Sequence, residues 1–381
     1  MRENDWTKEW TTGNNLLGGD GGVMCNRVWE SWNAPSHSMT QTLEKLPAGV
    51  YRMSIQGYYN QTTPLPYYFI QNTTSEKVQH YFMLRSDGEH TSTNGCATIP
   101  GNLDQASKCI FEGHYVNPWI YFVVGEDNEA TTIGVKREGQ NGQDWLVYDN
   151  FKLEYLGTGY TLEFNENNTS IDEFVGRATH ITTTRSMKAN VWNTFCVPFP
   201  MTAEQIEDQL GDAAEVMELT GAVQNGENYT MTFSGASSIE AGKPYMVRVP
   251  SAVSSIELDD AGGLAVNTTG TPAVTKDGVT FHGTYVNGLA PEGSFIISDN
   301  VFYNVNSEVT LKGFRGYITV DDGVGVKALE YLFDDDATLL IDLKDFNGFK
   351  DSNDLIYNLA GQRVSKMQKG INIVNGKKII K

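Results

Sequence analysis

Short apolar or alternating runs, each about the length of a β-strand, recur along the chain and are interrupted by glycine, asparagine and aspartate. Clear examples cover residues 51–55, 119–124, 245–249 and 317–320. The 38 glycines supply the turns that so many short runs require. Runs of this length at this spacing are typical of β-sandwiches and barrels. The sequence therefore predicts an all-β fold class.

One short helix is predicted within this pattern, over residues 202–210. Thr202 is placed to cap the first turn, which is acidic, and Gly211 is placed to end the helix. The surrounding runs are strand-like, so this part of the chain is predicted to be a sandwich or barrel-like domain with one short helix.

The length and the breaks between runs predict three parts. A chain of 381 residues is too long for one ordinary domain. Residues 151–155 alternate between apolar and charged side chains, which predicts a closing strand, and Gly157 ends it. We predict a first domain over residues 1–157, a second β-rich domain over 158–336, and a linker with a small C-terminal β module over 337–381.

The charge of the chain limits its partners. Its formal net charge is −19, from 47 acidic and 28 basic residues. Such a field repels phosphate backbones and anionic lipids, so we expect no nucleic-acid partner. No run approaches the roughly 18 apolar residues of a membrane helix, so no transmembrane segment is expected. The acidity suits neutral or cationic partners, or Ca²⁺.

Four cysteines are present: Cys25, Cys96, Cys109 and Cys196. They show no CxxC spacing, which argues against a zinc site. Cys96 and Cys109 lie on either side of a Pro-Gly pair and could close one loop as a disulfide in an oxidising compartment. Buried free thiols are the alternative, and the sequence leaves both open.

The first predicted domain resembles the galactose-binding-like jelly rolls found among carbohydrate-binding modules. The resemblance is carried by the turn at residues 46–51, the stretch 111–115 and the closing run 145–153. It implies a jelly-roll β-sandwich. Such modules often hold a structural Ca²⁺ through an acid near the closing strand, and Asp149 stands at that position. A simple Asp-Asn turn is the alternative for Asp149.

The C-terminal tail resembles the final segments of surface and secreted proteins of gut Bacteroidetes. Residues 357–381 carry the pattern YNLAGQRV followed by KGINIVNGKK, in which residues 375–376 predict a tight hairpin turn. The tail is similar to type IX secretion sorting domains, which implies a secreted or cell-surface protein. The first residues show no signal peptide, so either the protein is cytosolic or a signal has been removed, and the tail favours removal.

The second predicted domain resembles β-rich modules of the same bacterial exoproteomes. Residues 192–199 and 241–245 carry this likeness. It indicates a location and implies no chemistry.

Aromatic side chains provide the main binding signal. Sugar rings present C–H faces that stack on aromatic planes, while neighbouring amides and carboxylates bind hydroxyls. The alternative is that these aromatics form the core, since jelly rolls bury large rings. The candidate glycan-binding residues are Trp29, Trp32, Tyr58, Tyr59, Tyr67, Tyr68 and Trp145.

Signals for catalysis are weak. The six histidines are scattered, and neither HExxH nor GxSxG occurs. Glycoside hydrolysis needs a pair of carboxylates, but no segment singles out such a pair. We therefore predict a non-catalytic exported protein that recognises a polysaccharide or a host or cell-surface glycan, with other surface proteins as further partners. A structural or assembly role is the alternative, and a glycoside hydrolase is the third.

Overall fold

The computed structural model describes most of the chain before residue 334 and short strands after it. The described residues are 6–10, 14–18, 27–33, 36–60, 64–88, 96–138, 144–225, 228–321 and 328–333, together with the backbone of 356–358, 363–364, 371–374 and 377–380. Thirty strands and two short helices make up the regular structure of these residues, which confirms the all-β prediction. None of the helices described is long and apolar enough to cross a membrane.

The first unit is a sandwich of two sheets. The five-stranded sheet has the order β1-β4-β10-β6-β7. Its strands are β1 (Thr7–Trp10), β4 (Ser36–Leu43), β6 (Tyr67–Asn72), β7 (Glu76–Tyr81) and β10 (Thr131–Glu138). All of its pairings are antiparallel.

The facing sheet has nine strands and the main order β12-β13-β9-β5-β11-β3-β2, with β8 beside β5 and β18 beside β13. Its first-unit strands are β2 (Asn14–Gly18), β3 (Val28–Trp32), β5 (Gly49–Asn60), β8 (Met83–Leu84), β9 (Ile120–Val124) and β11 (Trp145–Gly157). The remaining strands are β12 (Thr161–Asn165), β13 (Val175–Met187) and β18 (Val253–Asn267).

The space between the two sheets is filled by side chains that alternate along the strands. Met53 and Ile55 of β5 contribute from the larger sheet, while Ile70 of β6 and Val135 of β10 contribute from the smaller one. Period-two alternation places every second residue on this inner face. The strand-like runs of the sequence are thus explained by burial on one face, and the predicted sandwich is confirmed for this unit.

A helix that the sequence analysis missed lies against the outer face of the larger sheet. Helix α1 spans Leu103–Phe111, and Oδ1 of Asn102 accepts a hydrogen bond from the backbone N–H of Gln105 (2.9 Å). The side chains of Ala106, Cys109 and Ile110 are buried. Their helical spacing and the capping asparagine were visible in the sequence, but the helix is only nine residues long.

The second unit contains two five-stranded sheets. One sheet has the strand order β14-β17-β15-β16-β26, and the other has the order β19-β20-β25-β22-β23. Strands β21 and β24 form a separate pair. The first comprises β14 (Trp192–Phe195), β15 (Glu215–Asn225), β16 (Asn228–Gly235), β17 (Tyr245–Arg248) and β26 (Ala328–Phe333). The others are β19 (Ala273–Lys276), β20 (Val279–Thr284), β21 (Gly288–Leu289), β22 (Phe295–Ser298), β23 (Val301–Asn304), β24 (Thr310–Leu311) and β25 (Arg315–Val320).

The predicted short helix of the second unit is confirmed. Helix α2 spans Ala203–Leu210 and begins with a capping box between Thr202 and Gln205. It ends at Gly211, whose φ of 101° is a conformation that glycine adopts without strain. Ile206 and Leu210 face the core.

The larger sheet of the first unit continues beyond residue 157. Strand β13 runs parallel to β9, with Val175 opposite Ile120 and Gly176 opposite Tyr121. A Cβ on Gly176 would lie 2.0 Å from the carbonyl oxygen of Tyr121, so only glycine allows this close approach. The two units therefore share a sheet across the predicted boundary between residues 157 and 158.

The C-terminal residues form a small four-stranded sheet in the order β28-β27-β29-β30. Its strands are β27 (Ile356–Asn358), β28 (Arg363–Val364), β29 (Ile371–Val374) and β30 (Lys377–Ile380). Strands β29 and β30 pair antiparallel with two residues between them, as the hairpin prediction requires. Those two residues, and residues 337–355 of the predicted linker and C-terminal module, lie outside the described residues.

A fully buried ion pair lies at one end of the first sandwich. Nη2 of Arg137 is 2.9 Å from Oδ2 of Asp144, and neither side chain is exposed to solvent. Burial lowers the pKa of the Arg137 guanidinium, and the Asp144 carboxylate opposes that shift. Nearby, burial and the Arg137 charge lower the pKa of His37 to about 3, so its ring is neutral at pH 7 and makes a 2.6 Å hydrogen bond with the hydroxyl of Tyr148.

Breaking this ion pair should destabilise the protein strongly. Asp144→Ala leaves the Arg137 charge buried without its partner, so we expect the free energy of unfolding to fall by about 3–5 kcal/mol. Urea unfolding followed by tryptophan fluorescence measures this change. The double variant Arg137→Met/Asp144→Leu leaves neither of these charges buried, so its free energy of unfolding should fall by less than that of Asp144→Ala. An equal or larger fall would contradict this explanation.

Candidate functional site

A cleft opens at one end of the first sandwich, on the outer face of its larger sheet and beside helix α1. It lies where β3 and β5 end and β11 begins. Both aromatic and polar side chains reach its walls. The residues that line it are Glu30, Trp32, Asn60, Arg85, Gly101, Asn102, Leu103 and Trp145.

Strand register places four of these residues in one row. Trp145 of β11 lies opposite Trp32 of β3 on one side and opposite Asn60 of β5 on the other. Arg85 continues the row beyond β5, because it directly follows β8 and its backbone N–H donates to the carbonyl of Tyr59 (2.8 Å). With strands about 4.8 Å apart, the backbone positions from Trp32 to Arg85 span roughly 14 Å.

Trp32 is the aromatic side chain that the cleft exposes. It is 48% accessible, whereas Trp145 beside it is 8% accessible. An exposed indole next to a concave polar surface gives a planar apolar face on which a ring can stack. Among the described residues that line the cleft, Trp32 therefore has the exposed aromatic face.

The indole of Trp145 is held in place by a carboxylate. Its Nε1–H donates to Oε1 of Glu30 at 2.6 Å, and both side chains are buried. Burial raises the pKa of Glu30, while this hydrogen bond opposes the shift. Glu30 therefore fixes the wall of the cleft and brings a carboxyl group to its lining.

The floor of the cleft rests on a small separate core, to which helix α1 contributes. Val28, Tyr58, Val147 and the buried face of α1 pack together there. The Cys96–Cys109 disulfide, which the sequence left open, is formed and joins α1 to the segment preceding it. Because Asn102 and Leu103 at the start of α1 line the cleft, the disulfide restrains one of its walls.

Loss of this disulfide should weaken the first unit. The bond closes a loop across a sequence separation of 13 residues, for which the chain-entropy model gives about 3 kcal/mol. We expect dithiothreitol to lower the Tm of the wild type but to leave the Cys96→Ala/Cys109→Ala variant unchanged. Equal Tm values for the oxidised and reduced wild type would contradict this structural role.

Four predicted glycan-binding residues need correction. Trp29, Tyr58, Tyr68 and Trp145 are all buried, because the inward positions of each strand and the contact with α1 remove their ring faces from solvent. The ring of Tyr58 packs against Tyr115, with 4.5 Å between ring centroids. A buried ring has no free face to offer a sugar, so the prediction that these four stack on a glycan is wrong. Trp145 still lines the cleft at its edge.

The two other predicted tyrosines lie apart from the cleft. Tyr59 is half-buried and packs against the core between the sheets. Tyr67 is half-buried on the five-stranded sheet, where its ring meets exposed Tyr81 edge-on with centroids 6.5 Å apart. Of the predicted set, Trp32 and Trp145 line the cleft, and the buried ring of Tyr58 contacts that of Trp145, with centroids 5.4 Å apart.

The sequence analysis missed the polar residues of the cleft. Glu30, Asn60, Arg85 and Asn102 come from four separate segments. The proximity of Glu30 to Trp32 follows from strand alternation, because residues two apart share a face. No sequence signal identifies the other three, since strand register and the position of α1 bring them together.

Asp149, the predicted calcium ligand, lies on β11 beside a β-bulge. Burial raises the pKa of its carboxyl group to about 6, and a hydrogen bond with the backbone of Asn150 opposes the shift. Ca²⁺ takes six to eight oxygen ligands, often from several carboxylates. Within the described part of the chain no group of three or more His, Cys, Asp or Glu residues could hold a metal. The calcium assignment stays a prediction.

The pH dependence of stability tests the environment of Asp149. A carboxyl pKa raised from 3.8 to about 6 by folding means that ionisation costs stability above about pH 6, and that this cost disappears as the pH falls towards 4. In EDTA, Asp149→Asn should therefore raise Tm at pH 7.5 and lose that advantage near pH 4. Asp208→Asn, at an exposed position of helix α2, controls for the lost charge.

The calcium prediction is tested in the same assay. If Ca²⁺ binds through Asp149, then CaCl₂ at pH 7.5 raises the Tm of the wild type and not that of Asp149→Asn. An unchanged Tm of the wild type on addition of CaCl₂ would contradict the prediction.

Comparisons with known proteins give little guidance. No protein-family model matches the sequence, and no curated protein matches it significantly. Among solved structures, the structure of TmCBM61 in complex with beta-1,4-galactotriose matches 39% of this chain and 88% of that chain, at 15% identity and a TM-score of 0.23. That TM-score is too low for the match to support a conclusion.

Proposed function

We propose that the protein is a non-catalytic glycan-binding protein and that the cleft beside α1 is its binding site. The exposed ring of Trp32 carries the proposal, because it borders a concave surface that also presents amide, guanidinium and carboxyl groups. Apolar ring faces combined with a few placed polar groups suit the recognition of a sugar. The row of cleft residues is longer than one pyranose ring, so an oligosaccharide is the ligand that fits it.

The make-up of the cleft favours binding over hydrolysis. Glycoside hydrolases act with two carboxyl groups placed on either side of the bond that is cleaved. Among the described residues that line the cleft, Glu30 is the single acid, and one of its oxygens accepts the indole hydrogen bond of Trp145. We therefore propose binding without turnover.

We propose that the protein acts outside the cell, on a polysaccharide or a cell-surface glycan. The Cys96–Cys109 disulfide supports this location, because such bonds persist in oxidising compartments. The resemblance of the tail to Bacteroidetes export segments points the same way. A structural or assembly role, with surface proteins as partners, is the alternative if glycans do not bind.

Glycan binding should depend on Trp32. We expect the full chain to bind at least one polysaccharide of a broad panel, mucin included, and Trp32→Ala to weaken that binding about tenfold or more. Isothermal titration measures the loss. Tyr303→Ala removes an equally exposed aromatic ring from β23 of the second unit and should bind like the wild type.

Two results would contradict the proposal. If the folded wild type binds no glycan of the panel, the structural role is favoured. Binding that Tyr81→Ala abolishes and Trp32→Ala leaves intact would move the site to the five-stranded sheet, where Tyr81 is exposed.

A further inference from the structure

The positively charged side chain of Arg85 indicates which class of glycan suits the cleft. Arg85 lies at the end of the row opposite Trp32, where Nη1 donates to the carbonyl of Pro100 at 3.2 Å. Its guanidinium carbon is 5.9 Å from the centroid of the Trp145 ring. These contacts hold the side chain along the cleft wall. A guanidinium has five N–H donors, and this carbonyl uses one of them.

The pairing of Arg85 differs from that of most other arginines. In a chain with 47 acidic and 28 basic residues, carboxylates are plentiful partners for arginine. Four described arginines form such pairs: Arg52 with Glu154, Arg137 with Asp144, Arg248 with Glu215 and Arg315 with Glu166. Two others, Arg177 and Arg185, are each bound by more than one backbone carbonyl, and Arg27 is exposed on the surface. Within the described part of the chain, no carboxylate pairs with Arg85.

The planar shape and charge of the Arg85 guanidinium indicate which ligand group would pair with it. A planar guanidinium forms two parallel hydrogen bonds with a carboxylate, and such charged pairs are stronger than hydrogen bonds to sugar hydroxyls. The overall negative charge of the protein repels anions at long range, so any attraction for an anion at the cleft is local. Arg85 is the one cation among the described residues of its lining.

The Trp32 end of the cleft, unlike the Arg85 end, disfavours an acidic sugar. Glu30 precedes Trp32 by two residues on β3 and lies on the same face of the sheet. When it is ionised, the carboxylate there repels an acidic sugar stacked on Trp32. An uncharged sugar therefore suits the Trp32 end, and an acidic sugar suits the Arg85 end.

We propose that the ligand of this cleft is a uronate-containing oligosaccharide, with a neutral sugar on Trp32 and the sugar carboxylate paired to Arg85. This inference rests on the proposed glycan-binding function. It adds a substrate class and an orientation of the ligand across the four strands.

The test compares matched acidic and neutral ligands on the full chain. The probes are rhamnogalacturonan backbone, hyaluronan and glucuronoxylan, each of which combines uronates with neutral sugars, and the carboxyl-reduced form of each. We expect at least one native polymer to bind, and its reduced form to bind about tenfold more weakly or worse. Isothermal titration at constant ionic strength gives both affinities.

Variants assign the preference to Arg85. Arg85→Gln should lose the preference for the native polymer and keep the weaker affinity for its reduced form. Lys188→Gln removes one positive charge from the exposed surface of the second unit and should keep the preference. Thermal unfolding of each variant verifies that it is folded.

The outcomes separate this inference from the function on which it rests. Equal binding of native and reduced polymers, or a preference that survives in Arg85→Gln, overturns the uronate assignment and leaves glycan binding standing. Binding of neutral glycans without binding of any acidic one also overturns the uronate assignment and leaves glycan binding standing. Absence of binding to all acidic and neutral glycans overturns both.

Discussion

The position of β11 between β3 and β5 is the constraint on which the first unit and its cleft depend. The inner face of β11 gives Leu146 and Tyr148 to the core between the sheets, and its outer face gives Trp145 and Val147 to the small core under α1. One strand therefore links two cores of different composition. Its register with both neighbours also places Trp145 between Trp32 and Asn60. A slip of one residue would exchange the two faces and remove the cleft.

Polar groups buried near the cleft connect the strands that form it. The Arg137–Asp144 pair is closed to solvent, and Nη1 of Arg137 also approaches the carbonyl of Ser31, which lies between Glu30 and Trp32 in sequence. The backbone N–H of Asn33 donates to the carbonyl of Asp144. These contacts connect the end of β3 to the start of β11. These contacts thereby hold in place the end of β3, which bears the exposed ring of Trp32.

Helix α1 and the disulfide complete the site from the opposite side. A nine-residue helix is marginal by itself, and here it is stabilised by burial of one face, by the Asn102 cap and by a covalent bond to Cys96. The same helix end lines the cleft. The shape of the cleft and the local stability are therefore linked, because anything that loosens α1 also moves a wall of the cleft. The shared sheet further joins this unit to β13, so the first unit does not end where its closing strand does.

The sequence by itself determined the all-β class, the capped helix α2 and the C-terminal hairpin, because strand alternation, capping residues and turn residues act over short distances. It also selected Trp32, without distinguishing it from Trp29 or Tyr58. Only the tertiary structure decided which rings are exposed, since burial depends on what covers each sheet face. The same holds for Asn60, Arg85 and Asn102, which strand register and the packing of α1 bring from distant segments into one cleft.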